Sequence, residues 1–408
     1  MENKILTEFE NIFCNDISKA KDITFIVLTY NRPYYLQRLL QHYDQIGVHL
    51  SFIIADSSSD NNKEKNINIC NSCRTIKVQY LPYESNIFFY KLVGAVKKVS
   101  TPYVKLCADD DFFLLGGTIK AITFLSSHKE YFVACGPSTG FNYDENQKII
   151  RFSSTKGYLS FDDNTPHKRV LDFFLSPTST YYGVHDTQFL RKIFKYMLES
   201  GFIVEPGTNY GSFFEYYYYT LVLLYSKIYI MPNIMNINDS SSESQWDVNR
   251  GSESIKNKIS GSLIIFNPIT LLKDYLHVNY MTWKSFNRLK SNLPDHICAN
   301  TNVSKEESIK IGADLVERLM RHKGIRNPIQ LLINCLRICF IYTFYNDRKE
   351  ILIKQIRDKL TGNVIYTNYE LFKENLDYSE LMELQLIEKT ILFSQSSTLK
   401  PNFAINKK

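Results

Sequence analysis

Apolar, β-branched runs alternate with amphipathic stretches through the first third of the chain. Ile23-Thr24-Phe25-Ile26-Val27-Leu28 has the pattern of a strand buried on both faces. Thr29-Tyr30-Asn31-Arg32 breaks that run, and Pro33 suits the first turn of a helix reaching about Tyr43. Phe52-Ile53-Ile54-Ala55 predicts a second strand, running into Asp56 and the polar loop Ser57 to Asn62. Thr75 to Tyr80 predicts a third strand, and a helix follows from about Phe88 to Lys98. The fourth apolar run, Tyr103 to Ala108, ends on three consecutive carboxylates, Asp109-Asp110-Asp111. Gly116-Gly117-Thr118 opens another helix, and Tyr131-Phe132-Val133-Ala134 a fifth strand. This rhythm predicts an α/β fold, an open and mostly parallel sheet with helices on both faces.

From about residue 137 to 235 the pattern changes to short strands, aromatic loops and two helices. Ser212 to Leu224 predicts a helix, followed by a strand, Lys227 to Ile230, and Met231-Pro232. Tyr216 to Tyr219 point around all sides of that helix and are expected to be packing residues. Residues 239–256 are polar and Ser-rich, a loop or boundary. Beyond it, helices are expected over Glu306 to Arg321, Pro328 to Tyr345, Lys349 to Leu360 and Ser379 to Phe393. The expected organisation is a first domain over 1–238, with halves at about 22–135 and 136–238, then a helical region over 257–408.

The composition is that of a soluble globular protein: 408 residues, 44% hydrophobic and 22% charged. A net charge of +6 suits acidic small molecules or contact with anionic lipid, and falls short of a nucleic-acid footprint. The N-terminus, MENKILTEFENIF, has no basic stretch leading into an apolar core, so it does not read as a signal peptide. The expected location is cytoplasmic, with reduced thiols. Cys70 and Cys73 form one CxxC, but no second pair stands at zinc-finger spacing. No stretch of about 20 apolar residues occurs to span a membrane. Ile329 to Tyr345 is the most apolar stretch, suited to a buried helix, a homo-oligomer interface or attachment at the inner face of a membrane.

The acidic triplet is the chemically loaded feature. Like charges this close repel, and a fold keeps them at a strand's exit when a cation offsets the repulsion. Hard divalent cations such as Mg²⁺ or Mn²⁺ prefer carboxylate oxygen and bring substrate phosphates with them. A solvated acidic turn ahead of a helix is the competing explanation. In parallel sheets ligands bind beyond the carboxyl ends of the strands, where the Thr29–Arg32 turn, the Asp56 loop and the triplet all fall.

That succession, over roughly residues 22 to 235, resembles the GT-A glycosyltransferases of family 2. The resemblance implies that Thr29, Tyr30, Asn31 and Arg32 line a nucleotide pocket and that Asp56 accepts hydrogen bonds from the base. The family's acid often sits one place earlier, where this chain has Ala55. Asp109 and Asp111 match the outer positions of a metal-binding DxD, with Asp111 the direct ligand of Mn²⁺ or Mg²⁺ and Asp109 or Asp110 facing the ribose. Lys91 and Arg32 are candidates to neutralise phosphate, whereas Lys105 is expected to be merely solvated. The implied catalytic base is Glu215, although Phe214-Glu215 stands where the family commonly has Glu-Asp. Glu205 and Asp186 are reserve candidates, and His185 and Asp186 fall in the implied acceptor region.

The implied activity is metal-dependent transfer of a sugar from a nucleoside-diphosphate sugar to an acceptor hydroxyl, with inversion. The acceptor class implied is a glycan or lipid-linked glycan of a bacterial surface polysaccharide. Two alternatives stay open: a sugar nucleotidyltransferase, and a non-catalytic binding protein of the same fold. The first usually has a Gly-rich basic loop after its first strand, and Thr29 to Pro33 contains no glycine.

Overall fold

The computed structural model describes residues 14–85, 87–143, 149–154, 160–175, 180–200, 210–239, 283, 286–322, 366–368, 373 and 376–393. After a 3₁₀ turn over Cys14–Asp22 the expected alternation appears. Strands β1 (Ile23–Thr29), β2 (Ser51–Asp56), β3 (Lys77–Pro82) and β4 (Tyr103–Ala108) are separated by helices α1 (Pro33–Ile46), α2 (Asp60–Ser72) and α3 (Phe88–Lys98). Then follow β5 (Phe112–Phe113), α4 (Leu115–Ser127), β6 (Tyr131–Cys135), β7 (Ser138–Tyr143), β8 (Ile149–Ser154) and α5 (Pro166–Leu175). β9 (Val184–Asp186), α6 (Thr187–Glu199), α7 (Tyr210–Tyr225), β10 (Lys227–Ile230) and β11 (Asn236–Asp239) come next. Helix α8 spans 286–300, and α9 (Lys305–His322), β12 (Tyr366–Asn368) and α10 (Tyr378–Phe393) lie beyond. The helices expected over 328–345 and 349–360 fall outside the described residues, as does the polar loop from 240 onward.

The main sheet has the order β10-β6-β9-β4-β1-β2-β3. β1 pairs in parallel with both β2 and β4, placing Thr29 opposite Asp56 and Leu28 opposite Ala108. Alternate residues serve opposite layers, as the two-residue strand period requires. Ile26, Ile53, Val104 and Leu106 pack toward α3, α6 and α7. Phe25, Val27, Phe52 and Ile54 pack toward α1 and α4. In that second layer Phe113 stacks between Tyr43 and Phe25, with ring centroids 4.1 and 4.2 Å away.

Two features depart from the sequence-based reading. The polar stretch after β2 is a loop only to Ser59, and a helix starts at Asp60. The sheet also takes in β9, which runs antiparallel between β4 and β6. A second sheet, β12-β8-β7-β11-β5, begins directly at the acidic triplet, because β5 follows Asp111 and pairs with β11. Elements from late in the chain pack onto these earlier ones: β12 pairs with β8, and α10 packs on α1 and α4. Among the described residues no helix is long and apolar enough to cross a membrane.

Candidate active site

β1 and β4 are neighbours, yet the chain leaves them in opposite directions, toward β2 on one side and toward β9 and β6 on the other. Such a reversal opens a crevice at the strands' carboxyl ends, and Thr29 and Asp109 stand on its two sides. Thr29 donates to Asp109 Oδ2 at 2.8 Å, closing the crevice floor. Asn31 adopts a left-handed conformation (φ 56°), which Asn tolerates better than most residues because its short amide can bond locally. Its Oδ1 accepts from Ser59 N at 2.8 Å and from Asn62 Nδ2 at 3.1 Å, and its own N–H donates to Ser58 Oγ at 2.7 Å. Asn31 thereby ties the β1 turn to the start of α2. The Asn31 amide thus meets the N-cap residue Ser59 and the first turn of α2, where the composition suggests a loop through Asn62.

Arg32 occupies the acidic turn directly. Nη1 donates to Asp109 Oδ1 at 3.0 Å and Nη2 to Asp110 Oδ2 at 2.7 Å, a pair of charge-assisted bonds to two adjacent carboxylates. The guanidinium also lies over the Tyr35 ring, 4.2 Å from its centroid. Part of the cation that the triplet demands is therefore supplied by the chain itself. Arg38, fully buried, donates to the Asp110 carbonyl at 2.5 Å and to Asp239 Oδ2 at 2.9 Å, fastening the turn to the end of β11.

Asp111 stands apart from this neutralisation. Its Oδ1 accepts from Asp239 N at 2.9 Å, and among the described residues it forms no ion pair. Burial raises its pKa well above the ordinary carboxylate value, and the Asp110 and Asp239 charges raise it further. Burial also pushes Asp109 up to about 6, against the opposing pull of Arg32. Four carboxylates (Asp109, Asp110, Asp111, Asp239) thus face two arginines here, and among the described residues Asp111 is the one with no direct arginine bond, feeling Arg32 only as an opposing charge nearby.

Asp56, expected to meet a nucleobase, is fully buried and turned inward. Its Oδ1 accepts from Ser58 N at 2.7 Å, and its Oδ2 from Asn66 Nδ2 at 2.8 Å and Tyr80 OH at 2.7 Å. The carboxylate is the hub of the β2 loop. Asp56→Ala would strand these donors, each at a cost of about 1–3 kcal/mol when water cannot replace the acceptor. The unfolding midpoint should fall, and the donor KM should rise more than kcat falls, because the loop shapes binding in ground and transition state alike. Denaturant titration with steady-state kinetics checks this, and kcat loss at constant KM would detach Asp56 from the donor side.

Lys91 is buried beneath the two loops, donating to Ser57 Oγ at 2.8 Å and to the Thr29 carbonyl at 3.2 Å. Burial lowers its pKa to about 8, partly offset by Asp56 and Asp109. Lys105, expected at the surface, is instead completely buried and donates to Asn236 Oδ1 at 2.7 Å and to the Tyr182 carbonyl. Strand β4 has layers on both faces, and its four central positions, Lys105 among them, are buried.

The acceptor-side candidates part company. Asp186 pairs opposite Tyr103, at the amino end of β4 and so at the far edge of the sheet from Asp109. Its Oδ1 caps α6 by accepting from Phe189 N at 2.8 Å, a structural task. His185 is fully buried in mid-sheet against the Tyr218 hydroxyl, and burial lowers its pKa to about 3. Neither faces the crevice, because the antiparallel insertion of β9 reverses the direction that a parallel strand would give. Glu205 and the side chain of Glu215 lie outside the described residues. The backbone of Glu215 is in α7, one residue after Phe214, whose ring meets those of Phe88 and Phe89 at the start of α3 (4.8 and 5.6 Å). Sequence reasoning missed Tyr35, Arg38 and Asp239. The available signal was Arg38 itself, a charge inside the apolar face formed by Leu36, Leu39 and Leu40.

Hard oxygen donors and one carboxylate that no arginine bonds directly fit a single divalent cation held by Asp111, with remaining ligands from water and a substrate's phosphates. Among the described residues, no three or more His, Cys, Asp or Glu side chains are grouped to hold a metal by themselves.

No family model matches the sequence, and neither does any curated protein. Among solved structures the chain is similar to S. aureus TarS 1-349 in complex with UDP-GlcNAc, at 12% identity and a TM-score of 0.41, over 74% of this chain and 73% of that one. It is also similar to S. aureus TarS 1-349 in complex with UDP, at 14% identity and a TM-score of 0.35, over 74% and 92% of the two chains.

Proposed function

We propose that this chain is a glycosyltransferase that takes a sugar from a nucleoside-diphosphate donor and passes it to an acceptor hydroxyl. The observation that carries this reading is Asp111 at the switch point, without a direct arginine bond, beside an arginine-bridged pair of carboxylates. A crevice with one acid that no arginine bonds directly, and with neighbouring cations, suits a ligand that arrives as an anion together with a divalent metal. Bound there, Mg²⁺ or Mn²⁺ would stabilise negative charge developing on the diphosphate leaving group.

The chain's own residues would do the rest. Thr29 and Arg32 fix the Asp109 and Asp110 carboxylates, leaving Asp111 as the open ligand. Arg38 and Tyr43 hold the backbone on either side of the turn. A carboxylate from the α7 side, with Glu215 the candidate, would take the proton of the attacking hydroxyl in a single displacement that inverts the anomeric carbon. The acceptor we propose is a glycan or lipid-linked glycan, reached by an enzyme working in the cytoplasm.

The direct test incubates the full chain with a panel of nucleoside-diphosphate sugars, with Mn²⁺ or with a chelator, and follows release of the nucleoside diphosphate. Release that requires the metal is expected for at least one donor. No release from any donor under either condition would overturn the reading.

Lys91 gives a pH signature. Its pKa is lowered, so its charge is complete below about 8 and is lost as pH rises through that value. The donor KM should therefore rise above pH 8 in the wild type and stay flat in Lys91→Met, which lacks the charge at every pH. A wild-type KM constant from pH 7 to 9.5 would remove Lys91 from donor binding.

A further inference from the structure

Three residues separate Asp111 from helix α4, whose first turn has no local cap. The N-cap position is Leu114, which offers no side-chain acceptor. Leu115, Gly116 and Gly117 are buried, so water cannot serve the orphan N–H groups either. Those of Leu115 and Gly116 are satisfied by α10. Glu383 of α10, itself buried, accepts from Gly116 N at 2.9 Å and from Leu115 N.

Two further contacts bind α10 to the same place. Glu380 accepts from Ile234 N at 2.9 Å, in the segment leading into β11. Thr390 bonds His42 Nδ1 at 2.8 Å on α1, next to Tyr43, whose hydroxyl holds the Phe113 backbone at both N–H and C=O. A Cβ on Gly117 would stand 2.6 Å from the Ile234 carbonyl, so α4 can sit this close to the β11 approach only with glycine there. The backbone from Asp111 to Gly117 is therefore gripped by α1, β11 and α10 together, and α10 supplies the acceptors for the Leu115 and Gly116 N–H groups.

We propose that Glu383 is a positioning residue for the acidic site. It fixes the start of α4, and through Phe112 to Leu114 it fixes where Asp111 stands. Glu383, more than 260 residues away in sequence, is then what ties the C-terminal helix to the donor site. The catalytic half of this proposal rests on the glycosyltransferase reading, and the geometric half does not.

The experiment uses the full chain and three variants: Glu383→Ala, Glu383→Gln, and Ile387→Ala as a control that loosens the core side of the same helix. Amide hydrogen exchange is measured at 113–118, with steady-state transfer under conditions where circular dichroism shows each variant folded. Glu383→Ala should speed exchange at 115 and 116 by about 10–100-fold, a local opening, and lower kcat by about tenfold or more. Glu383→Gln, which keeps one acceptor oxygen, should recover part of both losses. Ile387→Ala should lower the melting temperature while leaving exchange at 115 and 116 and kcat near wild type.

Wild-type exchange and turnover in both Glu383 variants would overturn the proposal. Faster exchange with an unchanged kcat would reduce Glu383 to a helix cap and would also overturn its role in the site. If the wild type transfers no sugar at all, the functional reading fails, and the exchange arm still decides whether α10 positions the acidic turn.

Discussion

Asp111→Asn is expected to abolish sugar transfer and to leave the protein at least as stable as the wild type at neutral pH. The two effects have one cause. Asp111 is a carboxylate whose pKa is raised by burial and by the Asp110 and Asp239 charges, so the folded state resists its ionisation. For an acid raised in this way, the folded state binds more protons than the unfolded one between the two pKa values. Stability therefore falls as pH rises through that window, and the deficit is present at pH 7. An amide carries no such charge and escapes the deficit. A divalent metal escapes it differently, by pairing with the carboxylate, so Mn²⁺ should raise the wild-type melting temperature and leave that of Asp111→Asn unmoved. A metal's charge stabilisation is worth several kcal/mol in such a transition state, so losing it should lower turnover by about 10³-fold or more. Thermal melts with and without Mn²⁺, beside donor turnover, read both halves. A variant with near-normal turnover, or one still stabilised by Mn²⁺, would take the metal away from Asp111.

The contrast between Asp111 and its two neighbours shows how far sequence alone could go. Strand ends were legible because apolar, β-branched runs stop abruptly at polar residues, and Thr29, Asp56 and Asp109 do fall at one edge of the sheet. What those residues touch was not legible, because each partner depends on the order of strands and on helix faces. Arg32 pairs with Asp109 and Asp110, 77 and 78 positions away. Asp56 follows its strand just as expected, but Tyr80 from the next strand and Asn66 from α2 claim its oxygens. Asp186 and His185 were misplaced because a three-residue strand carries no periodic signal, and its antiparallel direction is decided by packing alone. Glu383 has no local signature either, since an acid in an amphipathic helix reads as solvated until a partner helix with an uncapped start is placed beside it.

Glu215→Gln should lower transfer by roughly 10²–10⁴-fold with little change in donor binding. Gln keeps the size of Glu and its acceptor oxygen but cannot take the proton of an attacking hydroxyl. Backbone placement motivates the assignment. Glu215 sits in the first half of α7, and the adjacent Phe214 ring packs edge-on against Phe88, the first residue of α3. One turn further along α3 is Lys91, which reaches the Thr29 carbonyl beneath the crevice. The Asp109–Asp111 turn and the β2 loop belong to other elements, so donor affinity should survive the substitution. Asp186→Asn makes the comparison sharp. Asp186 caps α6 at the opposite edge of the sheet, so that variant should lose at most about 1 kcal/mol of stability, because Asn is itself a good cap, and should keep its transfer rate. Glu205→Gln is the third arm. Single-turnover transfer and calorimetric donor binding on all three variants separate the outcomes. Loss confined to Glu215→Gln supports the base, whereas near-normal transfer there with loss in Glu205→Gln would move the base to Glu205, and loss in Asp186→Asn would contradict the placement of β9 itself.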